Sequence, residues 1–167
     1  MPQQTEWPSC DSRAGAGGEA PGCFLGCTKV LMADGSARRI DAIAIGDRVK
    51  ARDEHTGVED VAVVDRVFRR HVAKTLLLQL DGGEVIGTIP EHRFACDGRG
   101  FVSAGQLSPL DTLTAYGDRT SRVIGTELHP AQTTVYNLSL ARLHTYFIGG
   151  AALWVHNVKK AEAADEC

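Results

Sequence analysis

The sequence predicts an all-β domain, and three observations predict it. Val, Ile and Thr make up about a fifth of the 167 residues, and β-branched side chains pack well on a pleated surface. Eighteen glycines, about 11% of the chain against a usual value near 7%, divide it into short runs. Those runs are bounded by Gly- and Asp-containing turns, and no long helical period is evident.

Taken in order, Thr28 to Met32 reads as a strand closed by the turn Ala33-Asp34-Gly35. Ile40, Ile43 and Ile45 before Gly46-Asp47 suit a short helical turn that delivers the chain to a strand from Arg48 to Arg52. Val58 to Val72 is long and alternates imperfectly, so a bend or bulge is expected within it. Leu76 to Leu80 and Val85 to Thr88 flank Asp81-Gly82-Gly83, a strong hairpin signal. Phe94 to Cys96 and Phe101 to Ser103 flank Asp97-Gly98-Arg99-Gly100, a second hairpin. Thr133 to Leu140 and His144 to Gly149 read as a further pair, and Ala152 to His156 closes the set. No internal repeat is evident in the letters.

The length suits one domain with a core large enough to need no metal or disulfide staples. Residues 1–22 are small, polar and turn-forming, and read as a flexible flank; residues 158–167 read as a polar C-terminal flank. A formal charge of −3, with no basic run longer than Arg69-Arg70 with His71, argues against nucleic acid or an anionic membrane as partner. The longest apolar stretch is too short to span a bilayer, and the N-terminus lacks the character of a secretory signal. The domain is expected to be monomeric, either cytoplasmic or part of a secreted precursor whose export signal lies outside this sequence. Five cysteines leave at least one unpaired within the chain.

The chemistry concentrates at the borders of the β region. The Cys23 sulfur can reach the carbonyl carbon of Gly22 through a five-membered ring, and proximity of this kind supplies a large effective concentration of nucleophile. Glycine at 22 leaves that carbonyl sterically open. The thiol must lose its proton and the departing backbone nitrogen must gain one, a task for a histidine. At the other border, the Asn157 carboxamide nitrogen can attack its own backbone carbonyl, forming a succinimide and breaking the bond to Val158. The adjacent His156 can polarise that carbonyl or protonate the leaving amine, and His144 can meet it across a strand pair. Taken singly, each residue has a plain alternative: Cys23 as a small buried hydrophobe, Asn157 as a turn residue, His92 as a structural histidine in a Pro90 turn.

The motifs GCFLGCTKV, DGSARRIDAIAIGDRV, TIPEHRF, VYNLSLARLHTYFIGG and WVHN occur in this order from Cys23 to Asn157. Together they resemble the Hint superfamily of inteins, bacterial intein-like domains, hedgehog autoprocessing domains and pretoxin Hint domains of bacterial polymorphic toxins. The likeness is greatest to the pretoxin and intein-like branch. The resemblance implies a horseshoe-like, pseudo-two-fold β fold with one or two short helical turns, spanning residues 23–157. It implies autocatalytic cleavage by way of a thioester at Gly22–Cys23 and by Asn cyclisation at Asn157–Val158. Cys23 matches the nucleophile and His92 the histidine that activates the first bond. His144 matches the late histidine that assists cyclisation, and His156 and Asn157 match the closing pair. The substrate is the chain's own flanks, with no cofactor and no metal.

The sequence also departs from the family pattern. Ile89 stands where a Thr is usual, with Thr88 one position earlier, which removes a hydroxyl expected to orient the scissile amide. Asn137 replaces a frequent Asp, and Cys27 replaces a Gly. Val158 offers no nucleophile to accept an acyl group, so cleavage is favoured over splicing. The alternative is an inactive Hint scaffold serving as a spacer or interaction module. A metal module on Cys23 and Cys27 lacks a second matching pair of ligands, and sterol transfer lacks its recognition region.

Overall fold

The computed structural model describes residues 24–130 and 132–156. Gly22, Cys23, Asn157 and Val158, and with them both expected cleavage points, lie outside the described residues. Within those residues the chain is strand throughout, apart from turns and three short 3-10 segments at Ile40–Ala42, Ala104–Gln106 and Tyr116–Asp118.

The strands are β1 (Phe24–Leu25), β2 (Lys29–Leu31), β3 (Ala37–Arg39), β4 (Arg48–Arg52), β5 (Glu59–Val72), β6 (Thr75–Leu80) and β7 (Val85–Thr88). They continue with β8 (Arg93–Cys96), β9 (Gly100–Ser103), β10 (Thr112–Thr114), β11 (Thr120–His129), β12 (Thr133–Leu140), β13 (Thr145–Ile148) and β14 (Leu153–His156). One sheet runs β1-β12-β5-β4. The other runs β3-β2-β13-β14-β8-β10-β11-β6-β7, with β9 added on β8. The apolar faces of both sheets meet in one core that includes Phe24, Val30, Val64, Leu78, Phe94, Leu138 and Tyr146. Burial of this extent is the main favourable term in folding.

Two long strands organise the molecule. The first part of β5 pairs with β4, and the rest pairs with β12. The first part of β11 pairs with β10, and the rest pairs with β6. Each long strand therefore turns away from the strand that follows it in sequence and pairs with the strand that follows the other. The ladders carry a register shift between Ser139 and Leu140 on one side and between Val123 and Gly125 on the other. Such irregularities let a strand bend from one partner to the next, as the imperfect alternation of β5 suggested.

The exchange corrects one expectation. β12 and the strand after it do not pair: β12 lies between β1 and β5, whereas β13 pairs with β14 and β2. The link 141–144 has a hairpin's length, but burial on both faces of β12 is better met between β1 and β5.

A repeat is present after all, in hydrogen bonds rather than in letters. In the first copy Ile43 N–H donates to Ile40 C=O, and Asp47 Oδ2 accepts from Ala44 N–H at 2.9 Å and from Arg38 at 3.0 Å. Gly46 N–H and Asp47 C=O then bracket Val64 of β5. In the second copy Leu107 N–H donates to Ala104 C=O, and Asp111 Oδ2 accepts from Ser108 N–H and Arg99, each at 2.9 Å. Leu110 N–H and Asp111 C=O bracket Val123 of β11 in the same way. The turn demands a left-handed residue, supplied by Gly46 (φ +99°) in one copy and by Leu110 (φ +88°) in the other. Only the aspartate is shared by the two turns, which is why the sequence hides the repeat.

Candidate active site

His92 leaves the turn Thr88-Ile89-Pro90-Glu91 and is fully buried. The turn is held by His92 N–H donating to Ile89 C=O, and by Gly105 and Ala104 N–H donating to Pro90 and His92 C=O. The ring lies edge-to-face on Phe24 with centroids 4.5 Å apart, and on Phe94 at 5.7 Å. Neither ring nitrogen has a hydrogen-bond partner among the described residues. Burial drives the imidazole's pKa down to about 3, with added repulsion from the nearby His156 and Arg93. His92 is therefore a neutral base at ordinary pH, with two unused nitrogens against the residue that follows Cys23.

The approach of β1 to this turn depends on a small residue. A Cβ on Gly87 would overlap the Leu25 side chain, so glycine in β7 lets β1 settle beside it. Phe24 and Leu25 pair with Tyr136 and Val135 of β12, which fixes the direction in which the chain enters the domain. Thr88, at the end of β7, is fully buried, and Ile89 belongs to the core.

His156 ends β14. That strand pairs with β8 on one side, His156 opposite Arg93, and with β13 on the other, His156 opposite Thr145. His144 directly precedes Thr145, and its charge is felt at His156. The structure thus brings His92, His144 and His156 to one end of the β8–β14–β13 array, with Phe24 of β1 against His92.

Sequence reasoning missed Glu54. Its Oε1 lies 2.7 Å from His156 Nε2, although the residue sits in the charged turn after β4, a context that usually marks solvated surface. The delivery is traceable. The Thr145 hydroxyl donates to Arg52 C=O at 2.6 Å and accepts from Arg52 N–H at 3.3 Å, tying β4 to β13. The Arg52 guanidinium is buried, pairs with Asp118 at 3.1 Å and Glu59 at 3.4 Å, and lies over the Trp154 ring at 4.8 Å. Two residues further along the chain, Glu54 is carried to His156. The His156 Nδ1 is buried and has no partner among the described residues, and the Phe101 ring lies 4.9 Å from the imidazole. Desolvation lowers the His156 pKa, and the Glu54 carboxylate opposes that shift without cancelling it.

Asn137 has a structural task here. Its Oδ1 accepts the Tyr146 hydroxyl at 2.7 Å and the Leu138 N–H at 2.8 Å, and the Tyr146 ring packs edge-to-face on Phe24. Cys27 is disulfide-bonded and Cys96 is a buried free thiol. Among the described residues no group of three or more His, Cys, Asp or Glu side chains is placed to hold a metal, and no helix is long and apolar enough to cross a membrane.

Comparison with known proteins agrees with this fold. Residues 29–158 match the family model of the pretoxin HINT domain. The solution structure of a bacterial intein-like domain from Clostridium thermocellum superposes with a TM-score of 0.77 at 32% identity, covering 83% of this chain and 100% of that one. A DnaB intein from Synechocystis sp. PCC 6803 superposes with a TM-score of 0.68 at 20% identity, over 83% of this chain and 99% of that one. The gp41-1 intein gives 0.65 at 18% identity, over 83% and 100%. The last two likenesses speak to the fold alone. No curated protein matches the sequence.

Proposed function

The chain belongs to the pretoxin Hint domain family, and on that premise we propose that it cleaves its own backbone at Gly22–Cys23 and at Asn157–Val158. One observation carries the reading. The strand that starts directly after Cys23 and the strand that ends directly before Asn157 both abut the same histidine-bearing turn, through Phe24 on His92 and through β14 on β8.

At the first border, neutral His92 takes the Cys23 thiol proton. The sulfur attacks the Gly22 carbonyl carbon, the bond to the Cys23 nitrogen breaks, and that nitrogen receives the proton His92 holds. The product is a thioester with a free Cys23 amine. Burial favours the second of these transfers: a weakly basic imidazole gives its proton up readily to the departing Cys23 nitrogen. Water or an added thiol then releases residues 1–22. At the second border, the Asn157 carboxamide nitrogen attacks the Asn157 carbonyl carbon and expels the Val158 amine. One proton moves from the attacking nitrogen to the leaving one, with His156 and His144 at hand to relay it. Val158 presents no hydroxyl or thiol to the thioester, which favours cleavage over ligation.

Mass spectrometry of the purified chain, with and without a thiol reductant, tests the reading. Processing yields a free VKKAEAADEC peptide and an Asn157-terminated fragment lighter by one water. Asn157→Ala abolishes that event, and Cys23→Ala blocks thiol-induced release of residues 1–22. A chain that stays intact under both conditions supports an inactive scaffold instead.

A further inference from the structure

The carboxylate on His156 comes from a part of the chain that no motif marks, and it is placed to control which nitrogen of that imidazole is available. We propose that Glu54 is a positioning residue for the C-terminal cleavage: it holds His156 with Nε2 protonated, so that Nδ1 is left as the bare, basic nitrogen. This inference rests on the cleavage proposed above at Asn157–Val158.

Hydrogen-bond inventory assigns the tautomer. An ionised carboxylate only accepts, so the nitrogen 2.7 Å from Glu54 Oε1 must be the one that carries hydrogen. In a neutral imidazole the other nitrogen then carries the lone pair. That nitrogen, Nδ1, is buried and has no partner among the described residues. A buried acceptor without a partner has a cost unless a task or a further group meets it. It belongs to the residue next to Asn157.

In the cleavage, Nδ1 accepts the proton that the Asn157 carboxamide nitrogen loses as it bonds to the Asn157 carbonyl carbon. It returns that proton to the Val158 nitrogen as the peptide bond breaks, and no outside reagent is consumed. His156 is cationic only between these two transfers, and the Glu54 charge stabilises it at that moment. A buried carboxylate behind a catalytic histidine works by the same logic in serine proteases. The other charges facing His156 act against the cation: Arg93 across on β8 and His144 before β13. The charge of His156 in turn lowers the pKa of His92, in the turn before β8. Glu54 supplies the opposing charge, and His55 lies beside it at 3.8 Å. The anchoring of Arg52 to Thr145, the register partner of His156, fixes the carboxylate in place.

The test uses the full chain and three forms: wild type, Glu54→Ala and Glu54→Gln. Release of residues 158–167 should slow by about ten- to a hundredfold in Glu54→Ala. Glu54→Gln, which keeps a hydrogen-bond acceptor but loses the charge, should slow less, and the acidic limb of its pH–rate profile should move to lower pH. Thiol-induced release of residues 1–22 should keep its wild-type rate in both, a selectivity that a general structural defect would not give. Unchanged C-terminal rates and profiles, or equal losses at both borders, overturn the proposal. A wild-type chain that does not cleave overturns the underlying reading instead, and then imidazole 15N shifts still judge the pair. An Nε2–H tautomer that titrates lower in Glu54→Gln supports it, and an Nδ1–H tautomer rejects it.

Discussion

His92 and His156 stand at neighbouring strands of one sheet, and both are pushed toward the neutral form by burial, yet their surroundings differ in kind. His92 is enclosed by Phe24 and Phe94, and among the described residues nothing polar touches its ring nitrogens. His156 keeps one ring nitrogen on a carboxylate, and the charges of Arg93 and His144 act on it. The dry histidine is a weak base that surrenders a proton easily. The paired one can hold a proton long enough to pass it on. In the proposed cleavage, one side-chain type would thus serve two steps because the protein changes what surrounds it, the general way that acid–base groups are assigned their roles.

The contrast is broken most severely by exchanging losses between the borders. His92→Ala should reduce thiol-induced release of residues 1–22 by about 10²- to 10⁴-fold while sparing release of 158–167, and His156→Ala should do the reverse. Fragment masses over time read both. If either variant silences both borders equally, the two histidines form one unit and the contrast is false.

Phe24→Ala sharpens it next. Loss of a fully buried aromatic should cost about 3–5 kcal/mol, measured by urea unfolding. In the milder Phe24→Leu, water reaching the ring should raise the His92 pKa from about 3 toward its ordinary 6.5, followed by NMR.

The gentlest probe is pH. Because the folded pKa of His92 lies below its unfolded value, the unfolded chain binds the extra proton between pH 6.5 and about 3. The stability that neutral His92 contributes is fully present above pH 6.5. It is lost as pH falls toward 3, at about 1.4 kcal/mol per pH unit. Urea midpoints for wild type and His92→Leu at pH 7 and pH 5 check this: the variant should show the shallower decline.

Much of this was legible in the residues. Gly46-Asp47 announced β4, and Asp81-Gly82-Gly83 announced the β6–β7 hairpin, because both turns need chemistry that few residues supply. His92 and His156 stood out by their motifs. The pairing of β12 was misread because nearness in sequence usually means nearness in a sheet, and here the long strands exchange partners. Glu54 was invisible for a related reason: what brings it to His156 is a hydroxyl–backbone link between β4 and β13, a contact across 93 positions that no local pattern encodes. Asn137 read as the loss of an acid, whereas the fold uses it to hold Tyr146 behind Phe24.

The exchanged arms have a consequence for timing. The outer part of β5 has its ladder partner only once residues 133–140 exist, and β6 completes its second edge only with β11. A nascent polypeptide still emerging from the ribosome therefore has half of each sheet waiting on sequence not yet made, and contacts this distant along the chain form late. Backbone scission begun before translation ended would destroy the precursor. If the chain cleaves itself as proposed, the topology guards against this, because the strands that carry His92 and His156 come together only after the last of them has been synthesised.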